Sequence, residues 1–433
     1  MNAKRHAPSL LLGVLVAACA GTSTPSGSSP AAPNPDPTAA ALSTVMPSAT
    51  VAAATPTPRP TARPVPSITP TPTPTPTPPP TPASTLPPPT GRLLVGRFVS
   101  ETSRGYAFSV VDLATGADDD LGTGQTASWS GDGTRVHVVV EDDQCVPRLV
   151  TKTRDGAPVS AVMAGLRSED YGFAWSPDDR SVAFVRYHNG PPPRMCGSQG
   201  GIYPLDQLVS DLVVMRADGT GQRVLVEESG QIRTPLAWSP DGRRLALFAD
   251  APSATSSPPA RLLVVDTTED QAVEYRGAIG PLPLGGAGHP AWSPDGSRLA
   301  FVFEAASDRH VAVLDGADGT ARDVGVYGGA GNAAAWSPDG TRISVIRGLN
   351  GGTFVLLDPA GAEPETTLGW QDVNEFLPYT WSPDGRGLAY IAVPNVAVAV
   401  VATSGSDRRV VVTSDSAHWL AFVAWAPGRG VAP

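Results

Sequence analysis

The chain has 433 residues with 41 acidic against 31 basic side chains, a formal net charge of −10, and only three cysteines. No basic patch stands out, which excludes a nucleic-acid partner held through phosphate contacts. The length allows one large core without a second domain.

The first predicted element is an export signal over residues 1–19. Lys4 and Arg5 lead an apolar run, Leu10 to Val16, that ends in Ala17-Ala18-Cys19. Small residues just before a cysteine resemble a bacterial lipobox, in which the signal is cut before a cysteine that carries acyl lipid such as palmitate. The alternative is an ordinary cleaved signal with an incidental cysteine. The run is too short for a permanent membrane helix, so lipid on Cys19 would be the anchor to the cell membrane. Residues 20–90 are then a Pro, Thr, Ser and Ala tract that includes Thr69-Pro70-Thr71-Pro72-Thr73-Pro74. Such a segment cannot bury a core and samples polyproline II, and fully extended it would reach on the order of 200 Å. It is expected to act as a stalk, and its composition permits glycosylation.

From residue 91 to residue 433 the chain repeats itself. A phrase built on Trp-Ser-Pro-Asp-Gly occurs at Trp129, Trp175, Trp238, Trp292, Trp336, Trp381 and Trp425, with spacings of 46, 63, 54, 44, 45 and 44 residues. A fixed period of this length means stacked supersecondary units. In Ser239-Pro240-Asp241-Gly242, Ser suits the first position of a type I turn, Pro presets φ at the second, and Gly supplies the left-handed return. The residues after it, as in Arg244-Leu245-Ala246-Leu247-Phe248, read as a half-buried strand. A second apolar run and a short return segment complete four strands per period, one blade of a β-propeller. Residues 91–125 supply three strands of a first blade that lacks its innermost one, and Trp425 supplies it. The expected fold is therefore all-β, a seven-bladed propeller closed through its two ends, with six or eight blades if a degenerate repeat hides in the insertions.

These phrases resemble the repeats of the TolB-like propellers, relatives of the WD40 repeat in architecture. The match is complete at Trp238, Trp292, Trp336 and Trp381. It departs at Gly131, which stands for Pro, at Asp179, which stands for the turn Gly, and at Ala426-Pro427-Gly428. Asp tolerates the left-handed conformation better than most residues, so the second copy can still turn. Related repeats form the propeller of prolyl-oligopeptidase-type enzymes, whose hydrolase domain would have to follow, and the reading expects none here. Family members of the Tol-Pal system carry an α/β domain before the propeller, where this chain has its stalk.

Two cysteines remain, Cys145 and Cys196, in the B to C loops of neighbouring blades. A disulfide between them is the reading for an exported chain, and closing about 50 residues would contribute roughly 4 kcal/mol. Two free or metal-binding thiols are the alternative. Extra length collects in the B to C loops at 188–210 and 250–260 and in the D to A connection at 280–289. All of these open on one rim, which marks it as the binding face.

Three or four residues before each motif Trp stand Gln125, Tyr171, Thr234, His289 and Asn332, expected to ring the mouth of the central channel. His188 and Arg194 lie in the longest loop, and Trp370 and Trp419 are the two tryptophans outside the phrase, anchors for a partner. Blade packing or loop tucking is the plainer role for each. The repeat tryptophans are expected to wedge between blades.

Little in the sequence carries chemistry. Six histidines include no i, i+4 pair, and no G-x-S-x-G elbow occurs. No cofactor and no metal is expected; a bound calcium at the Asp118-Asp119-Asp120 or Glu141-Asp142-Asp143 run is the rival to simple solvated loops. The function expected is a membrane-anchored, extracytoplasmic, non-catalytic module binding a protein, peptide or glycan of the cell envelope. The alternative is a propeller enzyme, lactonase- or lyase-like, with its site at the channel mouth.

Overall fold

The computed structural model describes residues 90–99, 105–142, 146–162, 165–187, 209–227, 230–250, 260–268, 271–275, 289–305, 308–317, 319–326, 333–348, 351–374, 376–405, 407–414 and 418–428. The expected signal and stalk lie outside these residues, as do Cys19, Cys145 and Cys196.

Seven four-stranded antiparallel sheets account for the described strands. Blade I pairs Leu420–Trp425 with Arg92–Phe98, followed by Tyr106–Asp112 and Asp118–Gly124. The last strand of the chain is thus the innermost strand of the first blade, in a register that sets Trp425 opposite Leu93. Blade II begins at Thr126–Trp129, blade III at Asp170–Trp175, blade IV at Ile232–Trp238, blade V at Ala291–Trp292, blade VI at Ala335–Trp336 and blade VII at Thr380–Trp381. In every blade the motif Trp ends the innermost strand, A, and strands B, C and D follow outward. Seven is the blade number.

The second strands differ from the half-buried expectation. Arg244–Asp250 is buried at all five central positions, Leu245 to Ala249. Each blade is covered on both faces by a neighbour, so alternate residues enter two different cores. Leu93 and Val95 face blade VII while Leu94 packs with Phe108, Val136 and Val138 of blades I and II. Each fully buried Val, Leu or Phe contributes about 1.5–3 kcal/mol. Seven such cores, one per seam, run around the ring.

The repeated turn is a small hydrogen-bonded unit. The Gly242 N–H donates to the Ser239 carbonyl at 2.8 Å, with Gly242 at φ 70°. The Ser239 hydroxyl donates to Asp241 at 2.5 Å and accepts the Arg244 N–H at 2.9 Å. The same Ser to Asp bond recurs at Ser130, Ser176, Ser293, Ser337 and Ser382. Five of the seven seams are then bridged from the Trp. The indole N–H groups of Trp129, Trp238, Trp292, Trp336 and Trp381 donate to the carbonyls of Ala424, Ala174, Ala237, Ala291 and Ala335, each the residue before the preceding blade's Trp.

Two of the three departures from the phrase are partners. Asp179 sits at φ 58°, and its Oδ1 accepts the Gly131 N–H at 3.1 Å across the seam between blades II and III. A proline at 131 would have no such hydrogen to donate. His137, buried and stacked on Trp175 with ring centroids 3.8 Å apart, reaches the same Oδ1 at 3.1 Å, and Arg135 lies 3.6 Å from Oδ2. In the seams IV–V and V–VI an arginine takes this place, Arg244 over Trp292 at 4.5 Å and Arg298 over Trp336 at 4.8 Å.

Candidate functional site

Up-and-down strands send the A to B and C to D turns to one rim and the B to C and D to A connections to the other. The first rim carries the Ser-Asp turns and is polar. Among the described residues two aromatic side chains are exposed, Trp370 at 37% and Phe376 at 57%, and both stand in the D to A connection of blade VI, on the second rim.

That connection is held in place by backbone bonds rather than left as a loop. Val373, 1% exposed, pairs with Gly352 of blade VI on one side and Ala392 of blade VII on the other. The N–H groups of Val393 and Asn374 donate to Asp372 and Ile391 at 2.9 and 3.1 Å. The Asn374 amide donates to the Asn395 side chain at 2.7 Å. Close approach requires Gly351, at φ 117°, because a Cβ there would stand 2.8 Å from the Gln371 carbonyl. The segment therefore presents Trp370 and Phe376 from a fixed backbone, beside the exposed Val393 of blade VII.

A polar network braces the same platform. The Tyr390 hydroxyl donates to Asp372 Oδ1 at 2.7 Å, and Arg408 donates from Nε to Tyr390 at 2.9 Å and from Nη2 to Asp372 Oδ2. The Arg408 guanidinium also lies 5.9 Å from the Trp370 ring centroid. Burial, and then the hydrogen bond to Asp372, push the Tyr390 hydroxyl far above its ordinary pKa, so it stays a donor.

The expected channel residues do not form one set. Gln125 donates to Glu141 at 3.3 Å. Tyr171 stacks on Tyr187 at 4.6 Å, gives its hydroxyl to the Ile232 carbonyl and packs on the core of seam III–IV. Burial, with Tyr187 beside it, raises its pKa well above 10.0. Thr234 is exposed, and Gly172 of blade III approaches it so closely that a Cβ would meet its methyl at 2.2 Å. His289 is water-exposed and pairs in parallel with Ala333 of blade VI. Its side chain reaches solvent, yet the surrounding protein desolvates the imidazolium and lowers its pKa to about 4. At neutral pH it is uncharged. Trp419 is half-buried, and its carbonyl accepts the Phe98 N–H at 2.7 Å. His188, Arg194 and Asn332 lie outside the described residues. Among those described, no three His, Cys, Asp or Glu side chains stand close enough to hold a metal.

Sequence reading missed Phe376, Val393, Asp372, Tyr390 and Arg408. Phe376 shares a D to A segment with Trp370 and could have been read beside it. Tyr390 and Arg408 sit on regular strands, where nothing in the period distinguishes them.

The profile of the TolB beta propeller domain matches residues 206–427, just over half of the chain. The chain belongs to the TolB β-propeller family. No curated protein matches the sequence. Among solved structures this TolB-type propeller is similar to an oligogalacturonate lyase from Vibrio parahaemolyticus, at 12% identity and TM-score 0.52, over 72% of this chain and 84% of that one. It is similar to a puromycin hydrolase at 18% identity and TM-score 0.53, over 77% and 55% of the two chains. TolB from Acinetobacter baumannii is 14% identical with a TM-score of 0.45, over 78% and 83%. Likeness at this level is likeness of fold.

Proposed function

We propose that this propeller is a non-catalytic binding module of the bacterial cell envelope, and that the platform above blades VI and VII is where it takes a protein, peptide or glycan. The observation that carries the reading is the exposure of Trp370 and Phe376 on a backbone-locked segment. Exposing two large aromatics forgoes burial worth about 1.5–3 kcal/mol each, and rigid aromatic anchors ringed by paired polar groups are how binding surfaces concentrate their energy. In this reading lipid on Cys19 holds the protein outside the membrane, and the Pro-rich tract sets its height. A Cys145–Cys196 disulfide then steadies the B to C loops of blades II and III on the same rim.

The test is a photo-crosslinking amino acid at position 376 of the full-length protein in its native envelope. The same probe at Val224, exposed on an outer strand, is the comparison. Discrete adducts at 376 that vanish with Trp370→Ala support the platform. Identical adducts from both positions defeat it.

His289 favours a second reading, an enzyme of the lactonase or lyase kind with its site at the channel. A neutral, solvent-exposed imidazole is chemically ready as a base or a metal ligand. Stoichiometric calcium or a transition metal in the purified protein, lost with His289→Ala, would decide for this reading over the first.

A further inference from the structure

A second feature stands apart from the platform, in the seam where the ring closes. Between blades VII and I lies a crevice of about 470 Å3, lined by Arg97, Ser109, Asp118, Asp120, Ser414 and His418 among others. That volume lies in the range of small-molecule sites.

Two other blades carry an arginine at the same register position. Arg97 stands four residues after Leu93, the partner of Trp425, as Arg186 stands four after Val182, the partner of Trp175, and Arg347 four after Ile343, the partner of Trp336. In blade III the arginine is enclosed. Its Nε and Nη2 meet Asp170 at 2.6 and 2.8 Å, its Nη1 meets Gln222 at 3.2 Å and its Nη2 also meets the Gly165 carbonyl at 3.1 Å. In blade VI, Glu365 takes both terminal nitrogens at 2.6 and 2.7 Å. Arg97 is held by Asp118 at 2.8 Å and by Ser109, and the crevice opens beside them.

The lining fixes the chemistry of an occupant. Arg97 is already neutralised by Asp118, so it offers little to an anion, and Asp120 would repel one. Asp120 Oδ1 accepts the Gly122 N–H at 2.8 Å, and its other oxygen takes no hydrogen bond within the described residues. Ser109 is buried against Arg97, and the Ser414 hydroxyl is turned to the His418 carbonyl. Fixed carboxylate acceptors beside hydroxyls that both give and accept suit a ligand whose own groups do the same. We propose that the closing seam is a binding site for a neutral, sugar-sized polyol.

The experiment is calorimetric titration of the full chain with glucose, galactose, mannose and N-acetylglucosamine, and with glucuronate as the anionic counterpart. At least one neutral sugar is expected to bind saturably, and glucuronate about tenfold more weakly or not at all. Asp120→Asn should weaken the neutral sugar about tenfold with an unchanged melting temperature, since Asp120 is exposed, whereas Val224→Ala, on an outer strand, should leave it unaltered. The proposal fails if none of the four sugars binds, if glucuronate binds equally well, or if Asp120→Asn binds as the parent does. If Trp370→Ala alone abolishes binding, the sugar belongs to the platform and the seam site is likewise overturned.

Discussion

The seam between blades II and III and the seam between blades IV and V face the same packing problem and answer it with different chemistry. In the second, Arg244 lies over Trp292 and donates to the Gly296 carbonyl at 2.6 Å, while the turn itself keeps the full Trp-Ser-Pro-Asp-Gly phrase. In the first, the turn of blade II gives up its Pro and the turn of blade III its Gly, and the freed positions supply a donor, Gly131, and an acceptor, Asp179, that meet across the seam. His137 fills the place of Ala246 and stacks on Trp175. A repeat copy that departs from its consensus is here a compensated pair rather than a weakened one.

The largest effect expected from breaking this comparison comes from restoring the proline. Gly131→Pro places a Cβ where 1.8 Å separates it from the Pro177 carbonyl oxygen and removes the N–H that Asp179 accepts. Denaturant unfolding should show a loss of about 3 kcal/mol or more, although the change restores the family phrase. Next in size is Asp179→Gly. It relieves the left-handed strain but leaves His137 and Gly131 without their acceptor, for a net loss of about 1–2 kcal/mol. Pairing it with His137→Ala should give a coupling energy of about 1 kcal/mol; strict additivity would mean that the two residues do not act together.

Why this pair escaped the sequence is physical. Gly131 and Asp179 are 48 residues apart, and periodicity reports what recurs, so a contact made once leaves no period. Blade number, ring closure through Trp425 and the Ser-Pro-Asp-Gly turn were legible because each rests on a local rule that recurs around the ring. The rim with the exposed aromatics was legible in part. Trp370 broke the repeat and stood out, whereas Val373, which locks the platform, looks like any other valine until its two strand partners are known. Tyr171 sits at the expected position on strand A, but strand spacing cannot say which way a ring turns, and it turns into the seam.

The regular seam yields a smaller effect. Arg244→Ala removes a cation–π contact and one hydrogen bond to a carbonyl, and should cost about 1–1.5 kcal/mol by the same denaturant measurement. The equivalent change at Arg135, whose nearest approach to Asp179 is 3.6 Å and whose side chain is 39% exposed, should cost under about 1 kcal/mol. If the two substitutions cost the same, the seams do not differ in the way their geometry indicates.

Smallest of all, and common to both kinds of seam, is the acid response of the turns. The hydroxyl of Ser130, with the N–H and hydroxyl of Thr134, holds Asp132 at a pKa of about 2, and Ser293 with Ser297 holds Asp295 at about 2, against an ordinary 3.8. A carboxylate whose pKa is depressed in the folded state binds its proton more readily when unfolded. The stabilisation is therefore complete above about pH 4 and is lost as the pH falls through about 2. Both groups are exposed, so solvent screens much of it and the slope of stability against pH should be shallow. Ser130→Ala and Ser293→Ala should each move the onset of acid unfolding to higher pH by a similar amount, read by circular dichroism between pH 2 and pH 5. A shift in only one of the two would mean that the turn is not the same unit in blades II and V, and that the difference between their seams extends into the phrase itself.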